Sequence, residues 1–188
     1  MTVYYYTAFW FPTLLSAVFV FFTAALLQMF TKWHQSDYGV LPDEEAFRAA
    51  VKPLAIPPGD YTIPVPRDRD AMKSPEFVKK VEEGPRVMMT VFPNGIAGMG
   101  SMLVYQFIYV LFVSWFAGHF ALRVLGPEAH DHDIVHTVWG ISFAAYGFAL
   151  WPLAIWYRRS LKTTIKANVY AFIYAVITAL TFVWLWPR

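Results

Sequence analysis

The 188-residue chain has no cysteine, which excludes disulfides, Cys-ligated zinc, iron–sulfur clusters and thiol catalysis. Charge is scarce too: 15% of residues are Asp, Glu, Lys or Arg, against about 25% in an ordinary soluble domain. A formal net charge of +2 carries no basic excess of the kind a nucleic-acid partner requires. Apolar side chains fill the space that charge leaves, with 57% hydrophobic and 19% aromatic residues and a mean hydropathy of +0.41. This composition belongs in a lipid bilayer.

Four stretches lack charge almost entirely: about Ala8 to Phe30, Ser101 to Leu122, Ile134 to Tyr157 and Ala167 to Trp186. At a rise of about 1.5 Å per residue, each is long enough to cross a hydrocarbon core of about 30 Å. The first has no basic residue ahead of it and outruns the apolar core of a signal peptide, so it reads as a permanent span. Tyr4, Tyr5, Tyr6, Phe9 and Trp10 at one end of it, Trp33 at the other, and Trp184 with Trp186 near the C-terminus match interfacial aromatic belts. The expectation is an all-α integral membrane protein with four transmembrane helices and a small α/β or irregular extramembrane insertion between helices 1 and 2. Its segments are residues 1–30 (N-terminal segment and first span), 31–97 (insertion) and 98–188 (the remaining three spans).

The connection after the third span holds Arg158, Arg159, Lys162 and Lys166 with no acid, whereas the preceding connection holds Glu128, Asp131 and Asp133 with no base. By the positive-inside rule the basic connection is cytoplasmic. That puts both termini outside and the 31–97 loop in the cytoplasm, with a bacterial inner membrane as the expected setting. The loop carries 19 of the 28 charged residues, nine basic and ten acidic, and nine of the thirteen prolines. Its length calls for a fold of its own. In SPEFVKKVEEGP, Ser74 is placed to cap a helix, Pro75 fits the first turn and Gly84 closes the end. Asp43 starts a second short helix, DEEAFRAAVK, stopped by Pro53, while YTIPVP and RVMMTVF read as extended. Two short helices and two strands bury little core, so such a cap has to rest on the spans or on a partner.

The loop also carries a signature: Leu41-Pro42-Asp43-Glu44, then Pro58-Gly59-Asp60-Tyr61-Thr62-Ile63-Pro64, Gly84-Pro85 and Pro93-Asn94-Gly95. In order and spacing over roughly residues 8–120 it resembles a group of small uncharacterised bacterial integral-membrane proteins with a PGxYxxP…GP…PxG loop between the first two transmembrane helices. Arg86-Val87 departs from that pattern, which has a second small residue after Gly-Pro. The resemblance implies a fold and a bacterial membrane setting and brings no catalytic residues. Tyr61 itself reads as a turn residue whose ring packs and whose hydroxyl finds a polar partner.

The candidates for chemistry are histidines. His132 and His136 share a helix face at a spacing of four, with His130 and Asp133 beside them, a set suited to a divalent metal such as zinc, copper or nickel. His119, near the end of the second span on the same side, makes a pair with His136 of the kind that a b-type haem needs; alone it suits a pigment. The same residues also fit a solvated interfacial connection, with Asp131 or Asp133 as a helix N-cap and His119 in a polar strip with Arg123. No acid or base lies mid-span, which disfavours a pump, and no serine has a neighbouring base that marks a nucleophile. Small residues recur at Ala167, Ala171, Ala175 and Ala179, at Ser114 and Gly118, at Ala117 and Ala121, and at Gly140, Ala144 and Gly147, as close helix packing in lipid requires. Pro12 and Pro152 are expected to bend spans one and three.

Three functional expectations follow. The first is a non-catalytic accessory subunit that packs among other integral-membrane subunits and helps assemble or stabilise a larger bacterial respiratory or photosynthetic complex. The second is a haem- or metal-binding membrane redox protein built on the histidines. The third is a small-solute channel or carrier, which requires Gln28, Gln106, Ser114 and His119 to converge.

Overall fold

The computed structural model describes residues 8–95 and 98–188; Tyr4, Tyr5 and Tyr6, assigned above to an aromatic belt, lie outside the described residues. The chain divides into two units, residues 1–39 with 98–188, and residues 40–97.

In the first unit, four helices are long and apolar enough to cross a membrane. They are α1 (Trp10–Phe30), α4 (Met99–Leu125), the α5–α6 segment (Asp131–Gly147 and Trp151–Tyr157) and α7 (Leu161–Trp184). Neighbours in the bundle are α1 with α4, α4 with α5, α5 with α7, and α7 with α1. Their buried faces recur at helical spacing: Thr13, Ser16, Ala17, Val20 and Ala24 on α1, Val110, Val113, Ser114, Ala117 and Ala121 on α4, and Ala171, Ala175, Thr178, Ala179 and Phe182 on α7. The core has two parts, one around Phe9, Ala117, Ile134, Val138, Phe182 and Trp186 and another around Ala17, Val20, Val110, Tyr146 and Ala171.

The small-residue strip of α4 is buried as the spacing predicts, as are Ala171, Ala175 and Ala179 on α7, while Ala167 is half-buried. A Cβ on Gly118 would stand 2.2 Å from a ring carbon of Phe182, so the missing side chain is what admits the ring. On α5 the expected strip fails in part. Gly147 does pack closely, against Asn168, but Gly140 faces open space. Ile134, Val138, Ser142 and Tyr146, at the same four-residue spacing, are the positions that bury instead.

Pro12 does not bend α1. It sits in the first turn, where no intrahelical partner is lost. Pro152 does mark a break: span three gives way to a 3₁₀ turn at Phe148–Leu150 before α6. Span four begins earlier than its apolar run, with Ser160 capping α7 through the Thr163 N–H. Lys162 and Lys166 thus lie inside a helix and not in a free connection. At the start of α5 the N-cap is His130, without a side-chain cap, while Asp131 and Asp133 occupy the first turn, where their charge complements the helix dipole. Asp131 is paired with Arg188, and the Trp186 indole donates to Gly126 O at 3.1 Å, so the C-terminal residues are fastened to the α4–α5 turn.

The second unit contains α2 (Glu44–Val51), β1 (Gly59–Ile63), α3 (Pro75–Glu83) and β2 (Val87–Val91). Asp43 caps α2 and Ser74 caps α3, accepting from Ala46 N–H and Phe77 N–H. The strands pair antiparallel with Tyr61 opposite Met89, and Thr90 Oγ1 donates to Asp60 Oδ1 across the pair at 2.6 Å. The Tyr61 hydroxyl donates to Pro57 O at 2.9 Å, closing the Pro-Gly turn. None of the described residues in this unit is buried.

Candidate functional site

At the end of the bundle where α1 finishes and α4 starts, all four spans contribute to one cavity of about 220 Å³. Its lining is Gln28 of α1, Gln106 and Tyr109 of α4, Tyr146 of α5, and Ala167, Tyr170, Ala171 and Tyr174 of α7, with Leu150 from the 3₁₀ turn. The helix period builds each wall. Gln106 and Tyr109 are three apart, and residues 167, 170, 171 and 174 form one continuous face. On that face two alanines make the room and two tyrosines furnish it.

The four phenol rings form a connected row. Tyr109 and Tyr146 meet edge to face at 5.8 Å, Tyr146 and Tyr174 do so at 5.7 Å, and Tyr174 stacks on Tyr170 at 6.4 Å. Two hydroxyls are engaged within the chain. Tyr109 donates to Ala145 O at 3.3 Å. Tyr170 lies 3.1 Å from Thr31 Oγ1, and since Thr31 gives its own proton to Leu27 O, Tyr170 is the donor. The Tyr146 hydroxyl is buried beside the Ser114 and Thr178 hydroxyls, and the Ser114 and Ser142 hydroxyls are buried as well.

Next to Tyr170 lies a buried ion pair. The Lys166 ammonium donates to Trp33 O at 2.6 Å, to Ser36 Oγ at 2.8 Å and to Asp37 Oδ1 at 2.8 Å. Trp33 also packs edge to face on Tyr170 at 5.6 Å. Burying an ammonium is tolerable only with such complete pairing. Its effect is to clamp the 3₁₀ turn Lys32–Ser36 onto α7, which explains why residues 31–39 group with the spans and not with the insertion.

The histidines lie elsewhere. His119 follows Gln106 by thirteen residues, about 20 Å along α4, and its ring is surrounded by Trp115, stacked at 5.3 Å, with Phe120 and Phe9 edge-on at 5.5 and 6.4 Å. His136 has His132 as its ring neighbour, 4.3 Å between centroids, and Asp133 lies 3.5 Å from His132 Nδ1. His130, His132, Asp133 and His136 are all exposed. Among the described residues, no group of three or more His, Asp or Glu side chains is arranged to hold a metal ion. Of the polar line expected for a channel, Gln28 and Gln106 meet in the cavity. Ser114 is buried in the bundle, and His119 is enclosed by aromatic rings. Sequence reasoning missed the four tyrosines. The 170/174 spacing was visible, but tyrosine also suits a lipid-facing belt, and only the packing of the helices brings Tyr109, Tyr146, Tyr170 and Tyr174 together.

The fold is mostly helical, with four helices long and apolar enough to cross a membrane and a small two-stranded sheet in the second unit. No family model, no curated protein and no solved structure matches the chain.

Proposed function

We propose that this protein is a non-catalytic subunit of a larger bacterial membrane complex, of the respiratory or photosynthetic kind, in which it supports assembly or stability. The observation that carries this reading is the state of the insertion. It has capped helices and a registered strand pair, yet none of its described residues is buried. Phe47, Leu54, Met72, Val78 and Met88 are each between 42% and 66% exposed. Ordered elements that bury no core of their own gain stability from a surface supplied by something else. A protein surface suits the insertion better than an anionic lipid surface, because nine basic residues against ten acidic ones in the 31–97 loop give no net electrostatic attraction to lipid headgroups. The expected setting is the inner membrane, with the insertion on the cytoplasmic side.

Extraction from the native membrane in a mild detergent tests this. The protein is expected to migrate with at least one other integral-membrane chain at a fixed ratio, and a photo-crosslinking residue at Phe47 or Met88 should capture that same chain. Recovery solely as a free monomer, with no crosslink from either position, refutes the reading.

A further inference from the structure

We infer that the tyrosine–glutamine cavity is a binding site for the uncharged, carbonyl-bearing ring of a lipid-soluble molecule, a quinone by chemical class. No charged side chain lines the cavity, so it offers no counter-charge to an anion or a cation; the nearby Lys166 ammonium is already engaged by three acceptors. What lines it is two carboxamides and four phenols; the Tyr109 and Tyr170 hydroxyls are engaged within the chain, which leaves the two carboxamides and the Tyr174 hydroxyl to donate to carbonyl oxygens. The Gln28 and Gln106 carboxamides and the Tyr174 hydroxyl line the cavity and make no hydrogen bond to another described residue, whereas the Tyr146 hydroxyl is sealed inside the bundle beside the Ser114 and Thr178 hydroxyls. Polar groups held at the edge of a hydrocarbon core without partners are costly, and a ligand with acceptor oxygens removes that cost.

Shape and size point the same way. The row of tyrosine rings presents faces and edges against which a flat ring packs. A volume of about 220 Å³ lies below the range of about 300–1,000 Å³ typical of clefts for drug-sized ligands, so it admits one ring and leaves a tail outside. Gln28 and Gln106 are themselves exposed, as are Phe30, Met102 and Tyr105 close to them along α1 and α4. The exposed side chains leave the two carboxamides reachable and offer the tail an apolar surface to follow. The inference stands independently of the accessory role: a subunit can hold such a molecule whether or not its insertion docks on a partner.

The test uses the full chain in lipid nanodiscs with decylubiquinone as the probe and an azido-decylubiquinone as photolabel. Saturable labelling is expected on peptides containing Gln106–Tyr109 or Tyr170–Tyr174, displaced by unmodified decylubiquinone. Gln106→Leu should weaken apparent affinity about 10-fold, the effect of one good hydrogen bond, and Ala167→Phe, which fills the cavity, should abolish saturable labelling. Should either variant not fold, the wild-type label map decides alone. Labelling that rises linearly without saturation, spreads over the lipid-facing aromatics, or is unchanged in folded variants overturns the proposal. Equal displacement by dioleoylglycerol assigns the site to a lipid ester and likewise overturns the quinone assignment.

Discussion

Gly118→Ala is the most severe small change the bundle offers. The added methyl carbon would lie 2.2 and 2.3 Å from two ring carbons of Phe182 and 2.8 Å from one of Phe9, where ordinary carbon–carbon contact is about 3.5–4.0 Å. The Phe182 ring would have to retreat by about 1.3 Å to restore contact distance. It has no room to do so, being fully buried among Ala117, Ala121, Ile134, Val138, Ala179 and Trp186. Three carbons inside contact distance put the penalty at the upper end of the about 1–3 kcal/mol found for overpacking. Alanine recovers about 1 kcal/mol as the better helix former, for a net loss of about 2 kcal/mol. Reversible unfolding in mixed micelles of a mild detergent and dodecyl sulfate measures it. Phe182→Leu removes the clashing ring edge, so the double variant should be more stable than the sum of the single losses by about 1 kcal/mol or more. A Gly118→Ala protein as stable as wild type, or single losses that simply add, refutes the packing argument.

Lys166→Met takes the ammonium from beside a carboxylate whose side chain is only 8% exposed and should cost about 3–5 kcal/mol in the same unfolding assay; adding Asp37→Asn should restore part of it, and a Lys166→Met loss below about 0.5 kcal/mol contradicts the clamp. In the insertion, the hydrogen bond from Lys80, followed by the charge of its ammonium, holds the Glu76 carboxyl below its usual range. A depressed folded pKa means that the support this pair lends α3 is complete above the unfolded glutamate pKa and disappears as pH falls through the lower folded value. Carboxyl-detected NMR titration should place Glu76 below a free glutamate and shift it upward in Lys80→Met; an unchanged midpoint in the variant would show that the pair contributes nothing.

The Lys166 interactions rigidify the exit from α1, so the chain leaves the bundle at a defined place before the insertion begins. The insertion gains its local order from caps and turns, and none of its described residues is buried.

The amino-acid sequence by itself determined the features that depend on neighbours along the chain. Charge-free runs specify four spans, and Ser74 with Pro75 and Gly84 delimits α3. Asp43 starts α2, and the β-rich runs on either side of α3 pair as strands, because spans, caps and turns answer to local composition and spacing. Tertiary structure decided whatever depends on two segments meeting. Lys166 reads as one more residue of a basic connection until α7 turns it inward onto Asp37. Gly118 and Gly140 look alike in sequence, yet a phenylalanine ring occupies the space over one and nothing occupies the other. The tyrosines at 109, 146, 170 and 174 are indistinguishable from a lipid-facing belt until helix packing sets their rings in a row in the cavity that Gln28 and Gln106 also line. Helical periodicity states which residues share a face, but the partner of that face is set by the rotation and depth at which the helices dock, and those follow from close packing of all four spans at once.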